Sequence, residues 1–293
     1  MKTRNVQKTG NMYYVYLPSK WCRDKKITVG SQIEMNTDSS GNLTIYSKYS
    51  ERPEKNLKIS VKEDDFYVLS KLVMACFLNP VRSFEINLGK SINKKEALHQ
   101  KKLLSTTVLE IDEKRIYSEP MISINQPFSL FLVTIKKAKT MIEVMIEDYD
   151  QDFIEQMEEE IDWSNTMINK SVIGSLMHRR ESSMKLIELH YLSLLSKYFE
   201  RIIDHLIKIE QVDTNEKKFL SEVSIIMEEI HSLGKKILEK DPSFNHEAVI
   251  EFIKKIKALK VDETKIREVL IKTSLRHFSE VMIDWSITNL VEH

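Results

Sequence analysis

Tyr198-Phe199-Glu200-Arg201-Ile202-Ile203-Asp204-His205 is the stretch whose reading decides this fold. It sits in a run where Leu192, Leu195, Phe199, Ile202, Leu206 and Ile209 recur every three or four residues. That is the 3.6-residue period of a helix with one buried stripe. Glu200 and Asp204 stand one turn apart on a single face of it. The same period runs from Pro127 onward. It is interrupted at Asp150-Gln151, Glu181-Ser182-Ser183, Gln211-Val212-Asp213-Thr214, Lys240-Asp241-Pro242-Ser243 and Lys260-Val261-Asp262. These breaks predict six helices, at about 128–149, 151–180, 183–210, 214–240, 245–258 and 262–291. Short connections predict antiparallel neighbours. The helices group as two sets of three, 127–211 and 212–293, which suggests a duplicated bundle.

The spacing of Glu200 and Asp204 recurs at Glu158/Asp162 and at Glu280/Asp284. A like-charged pair one turn apart costs a few tenths of a kcal/mol, about the scale of any i, i+4 pair. A hard or borderline cation bridging it reverses the sign, because carboxylate oxygens are its natural ligands. Glu158 and Asp162 lie in the most acidic part of the chain, with no Lys or Arg between Lys139 and Lys170. In antiparallel helices Glu158/Asp162 and Glu200/Asp204 face each other near one end. These four are candidate metal ligands, with Glu280 and Asp284 a weaker pair. The rival reading is a solvated, salt-bridged face, since Lys197 and Lys208 flank Glu200 and Asp204. His190, His205, His231 and His277 are scattered, none at HExxH spacing, and read as ordinary helix histidines. Trp163, Trp285 and most Met residues read as core or partner-facing.

Upstream, residues 57–126 alternate in type. Strands are expected at Leu57–Val61 and Ser83–Leu88, helices at Asp64–Phe77 and Lys94–Leu104. A hairpin of Val108–Ile111 and Arg115–Tyr117 turns around Asp112-Glu113. This is a small α/β subdomain with no glycine-rich loop and no clustered His, Cys or Asp. Ser47 to Asn56, with Pro53, reads as a linker.

The first fifty residues form a separate unit. Val6-Gln7-Lys8-Thr9-Gly10 precedes a strand-like Tyr13-Tyr14-Val15-Tyr16-Leu17, then Pro18-Ser19-Lys20-Trp21 and a short helix. Strands Ile33-Glu34-Met35 and Leu43-Thr44-Ile45 follow, split by Asp38-Ser39-Ser40-Gly41. Gly10 and Gly41 fall where tight turns need positive φ. Eight Lys and Arg against Asp24, Glu34 and Asp38 give residues 1–50 a net +5, so the balanced chain carries −5 elsewhere. Such asymmetry is the footprint of a nucleic-acid-binding arm. Arg4, Lys8, Lys20, Arg23 and Lys25 are the candidate DNA-binding residues, gripping backbone phosphates. A unit this small buries too little to stand alone, and Cys22 has no second cysteine beside it for a disulfide. Two copies are therefore expected to interleave their hairpins, giving a homodimer with a roughly palindromic double-stranded DNA target.

The length allows two or three domains. Six Gly and six Pro over 293 residues argue for long helices over a loop-rich fold. Two cysteines, Cys22 and Cys76, supply no disulfide framework and point to a reducing, cytoplasmic setting. No apolar run approaches the ~20 residues of a membrane span, so no membrane insertion is expected. The polar N-terminus predicts no signal peptide.

Residues 4 to about 47 resemble the archaeal version of the AbrB-like (SpoVT-AbrB) swapped-hairpin DNA-binding domain. The matching signals are Val6-Gln7, Thr9-Gly10, the aromatic strand, Leu17-Pro18, Trp21 and the late hairpin. Lys26 stands where that family usually has a glycine. Residues 127–293 look like PhoU-type proteins, through Glu200-Arg201-Ile202-Ile203-Asp204-His205 and Glu158-Glu159-Glu160-Ile161-Asp162. The resemblance implies two three-helix bundles whose acidic motifs hold iron or zinc clusters. The second bundle departs from the pattern: His277 stands where the family prefers Arg, and Asp284 lies one turn beyond the acidic position at Glu280. The expected fold is thus α+β, mainly α: a swapped-hairpin β domain, a small α/β subdomain, and two PhoU-like bundles. The expected function is a transcriptional regulator of phosphate uptake, not an enzyme. The phosphate transporter's ATPase or a sensor kinase is the implied protein partner. One alternative is an adaptor that binds those partners without metal, the head serving only dimerisation. A metal-dependent hydrolase is a third reading, and a weaker one, for want of a histidine or arginine cluster arranged for phosphoryl transfer.

Overall fold

A computed structural model of the chain describes residues 3–37, 41–47, 56–79, 81, 83–90, 109–112, 114–118, 126–178, 184–209 and 212–292. The chain is mainly helical, with small sheets towards its N-terminus, and divides into two compact units, Met1–Glu54 and Lys55–His293.

The first unit contains two antiparallel hairpins and one short helix. Strands β1 (Gln7–Thr9) and β2 (Met12–Tyr14) pair with Thr9 opposite Met12, and Gly10 takes the positive φ of the tight turn. The expected strand through Leu17 is shorter than its composition suggests. Among the described residues only Met12–Tyr14 of this stretch is paired, opposite the three residues of β1, and Val15 and Tyr16 run past them. Pro18 caps helix α1 (Ser19–Asp24) with φ −60, where a missing N–H costs nothing. Strands β3 (Ile33–Thr37) and β4 (Leu43–Ser47) form the second hairpin, Ile33 opposite Ser47. Helix α1 buries no residue. Met12 is 71% exposed and Tyr13 70%, and Val6, Tyr16, Met35 and Leu43 are also exposed.

The second unit begins with β5 (Asn56–Val61), helix α2 (Phe66–Leu78) and β6 (Ser83–Leu88), a right-sized crossover that lays β6 parallel to β5. Strands β7 (Leu109–Asp112) and β8 (Arg115–Ser118) complete a sheet of order β5-β6-β8-β7. Asp65 caps α2 by accepting from the Val68 N–H. Alternation puts Phe84, Ile86, Leu88 and Ile116 on one face, against Leu69, Val73, Cys76 and Phe77 of α2. The helix expected at Lys94–Leu104 lies outside the described residues.

Six long helices follow: α3 (Pro127–Glu147), α4 (Gln151–His178), α5 (Leu186–Leu206), α6 (Thr214–Glu239), α7 (His246–Ala258) and α8 (Ile266–Glu292). Their starts follow from capping chemistry. Pro127 opens α3; Asp213 and Glu216 form a capping box on α6; the Asn245 side chain accepts from the Ala248 N–H at α7. All six contribute to one continuous core. The stripe Leu192, Leu195, Phe199, Ile202 and Leu206 is buried as its spacing requires. Phe131 lies at its centre, 5.6 Å from Phe199 and 6.4 Å from Phe278 between ring centroids. Trp285 is buried against Phe128 and Phe244, and Tyr191 stacks on it.

The sheet subdomain is joined to the bundle through α2 and α4. Met167 belongs to the subdomain core, with Trp163 packed at its edge. Lys170 of α4 is buried and donates to the Phe77 carbonyl at 2.7 Å, near the end of α2, where the helix carries carbonyls without helical partners. Among the described residues, no helix is long and apolar enough to cross a membrane.

Candidate functional site

Helices α4 and α5 run antiparallel, with their register marked by a polar seam. Ser196 Oγ donates to Asn165 Oδ1 at 3.3 Å, and Ser193 Oγ to Asn169 Oδ1 at 3.5 Å. Stepping one and two turns along this register sets Asp162 level with Glu200 and Glu158 level with Asp204. The four acids predicted to converge do share one field.

Their electrostatics record the crowding. Burial, then the charges of Glu158, Glu200 and Asp204, pushes Asp162 from 3.8 up to about 7. Glu158 is raised by burial and then by Asp204, Glu155 and Glu159, with Lys208 opposing. Glu200 is raised by burial and then by Asp204, while Lys197, Arg201 and Lys71 pull the other way. As a residue Glu200 remains exposed, so water damps its shift, and Asp162, half-buried, is the strained member. Holding several carboxylates ionised here is costly, and a proton or a cation relieves the cost.

Among the described residues, no three His, Cys, Asp or Glu side chains stand close enough to ligate one ion directly. The quartet is a shared field without a ready-made coordination sphere. The seam beneath it holds a further polar group. Asn165 is only 2% exposed; its oxygen accepts from Ser196, and its Nδ2 has no hydrogen-bond partner. Carboxylate oxygens sharing one field are the donor type an oxygen-seeking divalent cation takes. Glu158, Asp162, Glu200 and Asp204 are the residues that would hold it.

Glu280 and Asp284 are exposed on α8 and are not among the charges acting on the quartet. Of the bundle histidines, His277 lies 5.3 Å from the Tyr198 ring, and His205 is half-buried with Nδ1 unpartnered. Burial, with Lys208, lowers His205. In the first unit Arg4, Lys8, Lys20 and Arg23 are exposed and Lys25 is half-buried at the C-cap of α1. Lys8 Nζ sits 5.2 Å from the Tyr13 ring centre.

Sequence reasoning missed Asn165, Ser196 and the approach of Lys71 from α2. A signal for the first two existed: 158, 162, 165 and 169 on α4, and 204, 200, 196 and 193 on α5, are continuous polar stripes at helical spacing. No local signal could have brought in Lys71. The chain matches no family model, and neither a curated protein nor a solved structure shows significant similarity to it.

Proposed function

We propose that this protein is a DNA-binding transcriptional regulator whose N-terminal unit works as a pair and whose helical body responds to a cation or a partner protein. The observation that carries the reading is the first unit's small interior: Met12 and Tyr13 on β2, Val15 and Tyr16 just after it and Met35 on β3 are exposed, and no residue of α1 is fully buried. An apolar strand surface of this size is unstable in water, and a second copy is the simplest cover. Arg4, Lys8, Lys20, Arg23 and Lys25 then appear twice about a two-fold axis, matching the two-fold symmetry of a palindromic duplex target. Phosphate uptake as the regulated process rests on the resemblance of both halves to their families. So does the phosphate transporter's ATPase, or a sensor kinase, as partner, and iron or zinc as the ion.

The test is duplex binding by fluorescence anisotropy across a salt series. The expected log Kd–log salt slope has magnitude about 0.9 per neutralised phosphate. Affinity independent of salt would refute the reading, and genome-wide mapping of bound sites under phosphate-replete and phosphate-starved conditions would identify the regulated genes. The adaptor reading is favoured by one observation, the absence among described residues of three ligands within direct reach of one ion. Metal analysis of protein purified without chelator separates the two: substoichiometric iron, zinc, manganese and magnesium would favour the adaptor.

A further inference from the structure

The first unit holds two hairpins, and its cations choose between them. Residues 1–26 carry Lys2, Arg4, Lys8, Lys20, Arg23, Lys25 and Lys26 against Asp24, whereas residues 27–47 carry Glu34 and Asp38 and no Lys or Arg. A polyanion is therefore met by β1, β2 and α1. The β1–β2 register divides this hairpin into two unlike faces, since residues opposite each other share a side. Gln7 stands opposite Tyr14 and Thr9 opposite Met12, while Lys8 stands opposite Tyr13 on the other side, beside its ring. All six residues are exposed. On the Gln7 side the polar tips are an amide and two hydroxyls. Thr9 Oγ1 donates to the Tyr14 hydroxyl at 3.3 Å, and the Tyr16 ring meets Tyr14 edge-on. Shutting these groups against a second copy would strand donors and acceptors that need hydrogen bonds. The contact of Tyr16 with Tyr14 carries the alternation past the ladder, so Val15 and half-buried Leu17 fall with Tyr13. That aliphatic side is the one a second copy covers. Lys8 adjoins the turn, so its ammonium stays at the rim of the covered side.

We propose that the β1–β2 hairpin enters the major groove of duplex DNA with its Gln7 side towards the base edges, and that Gln7 reads one adenine in each half-site. This rests on the paired DNA-binding reading above and adds the residue that sets its sequence preference. The dimensions fit: two strands about 4.8 Å apart make a ribbon that a groove about 12 Å wide admits. The chemistry fits as well. A glutamine amide donates to N7 of adenine and accepts from its N6 amino group, a pattern no other base presents in that groove. Thr9 and Met12 offer methyl groups to a neighbouring thymine methyl. None of Gln7, Thr9, Met12 and Tyr14 carries a charge. This side therefore selects sequence, while Arg4, Lys8, Lys20, Arg23 and Lys25 supply affinity through phosphates.

The test is selection of bound duplexes from a randomised pool by the full chain, followed by anisotropy on the selected site and its single-base variants. Wild type is expected to select a two-fold-related site with one adenine per half-site, and to bind about tenfold more weakly when either adenine is replaced. Gln7→Ala is expected to erase the preference at those two positions, with the log Kd–log salt slope and sedimentation as a dimer unchanged. Gln7→Glu, whose carboxylate accepts from the N4 amino group of cytosine, is expected to move the preference from adenine to cytosine. A residue that merely shapes the hairpin would produce no such exchange. If Gln7→Ala does not fold by circular dichroism, Gln7→Glu decides alone. An adenine preference retained by either variant would overturn this inference alone. So would a wild type that binds duplex with steep salt dependence and no base preference. No duplex binding by wild type would overturn it together with the proposed function.

Discussion

Replacing Asp162 by Asn tests whether the four carboxylates are held at a cost. Asp162 is raised from 3.8 to about 7. Between those values the folded chain keeps a proton that the unfolded chain releases. Stability therefore falls as pH climbs from about 4 to about 7, and the full penalty applies above that window. The unscreened shift corresponds to about 4 kcal/mol. Water reaching Glu200 and Asp204 reduces the realised value to roughly 1–2 kcal/mol. Asp162→Asn removes the charge with little change of shape. Part of the penalty already applies at pH 5, so in chelator the variant's gain over wild type should be about 0.5–1 kcal/mol larger at pH 8 than at pH 5. That is about 1–4 °C in Tm for a body of this size. Added Mn²⁺ should reverse the order at pH 8: a ligand at 100 times its Kd contributes about 2.7 kcal/mol to wild type, and much less to a site short of one carboxylate. An offset that is the same at both pH values, or an Asn variant less stable at pH 8, would refute the account.

Tyr13→Asp places a charge on a strand that lies open in a single copy, where a surface substitution costs within about 0.5 kcal/mol. In a pair that buries this strand the same change should yield monomers by sedimentation velocity and abolish DNA binding; a variant that stays dimeric would sink the pairing claim. Lys26 adopts φ +55, a conformation that costs a side-chain-bearing residue roughly 1 kcal/mol. Lys26→Gly should slow amide exchange across residues 3–47, and unchanged or faster exchange would contradict the strain. Phe131, 1% exposed between Phe199 and Phe278, should cost about 3–5 kcal/mol in urea unfolding when replaced by Ala; a loss under 1 kcal/mol would mean the six helices do not share one core.

The amino-acid sequence by itself determined the helices. Burial on one stripe has a period that any six or seven turns reveal, so Leu192 to Ile209 and the breaks at Asp150 and Asp213 were legible to within a few residues. The turn at Gly10 and the hairpin at Gly41 were legible for a similar reason, since backbone geometry there is a local demand. The carboxylate quartet followed from spacing plus an antiparallel guess. Only the tertiary structure decided what met what. The parallel pairing of β5 with β6, the anchoring of α2 by Lys170, and the orphaned amide of Asn165 each join residues far apart in the chain. Periodicity records whether a face is buried; it holds no information on which face covers it. That choice is made by packing volume and hydrogen-bond geometry, quantities that exist only once the elements touch.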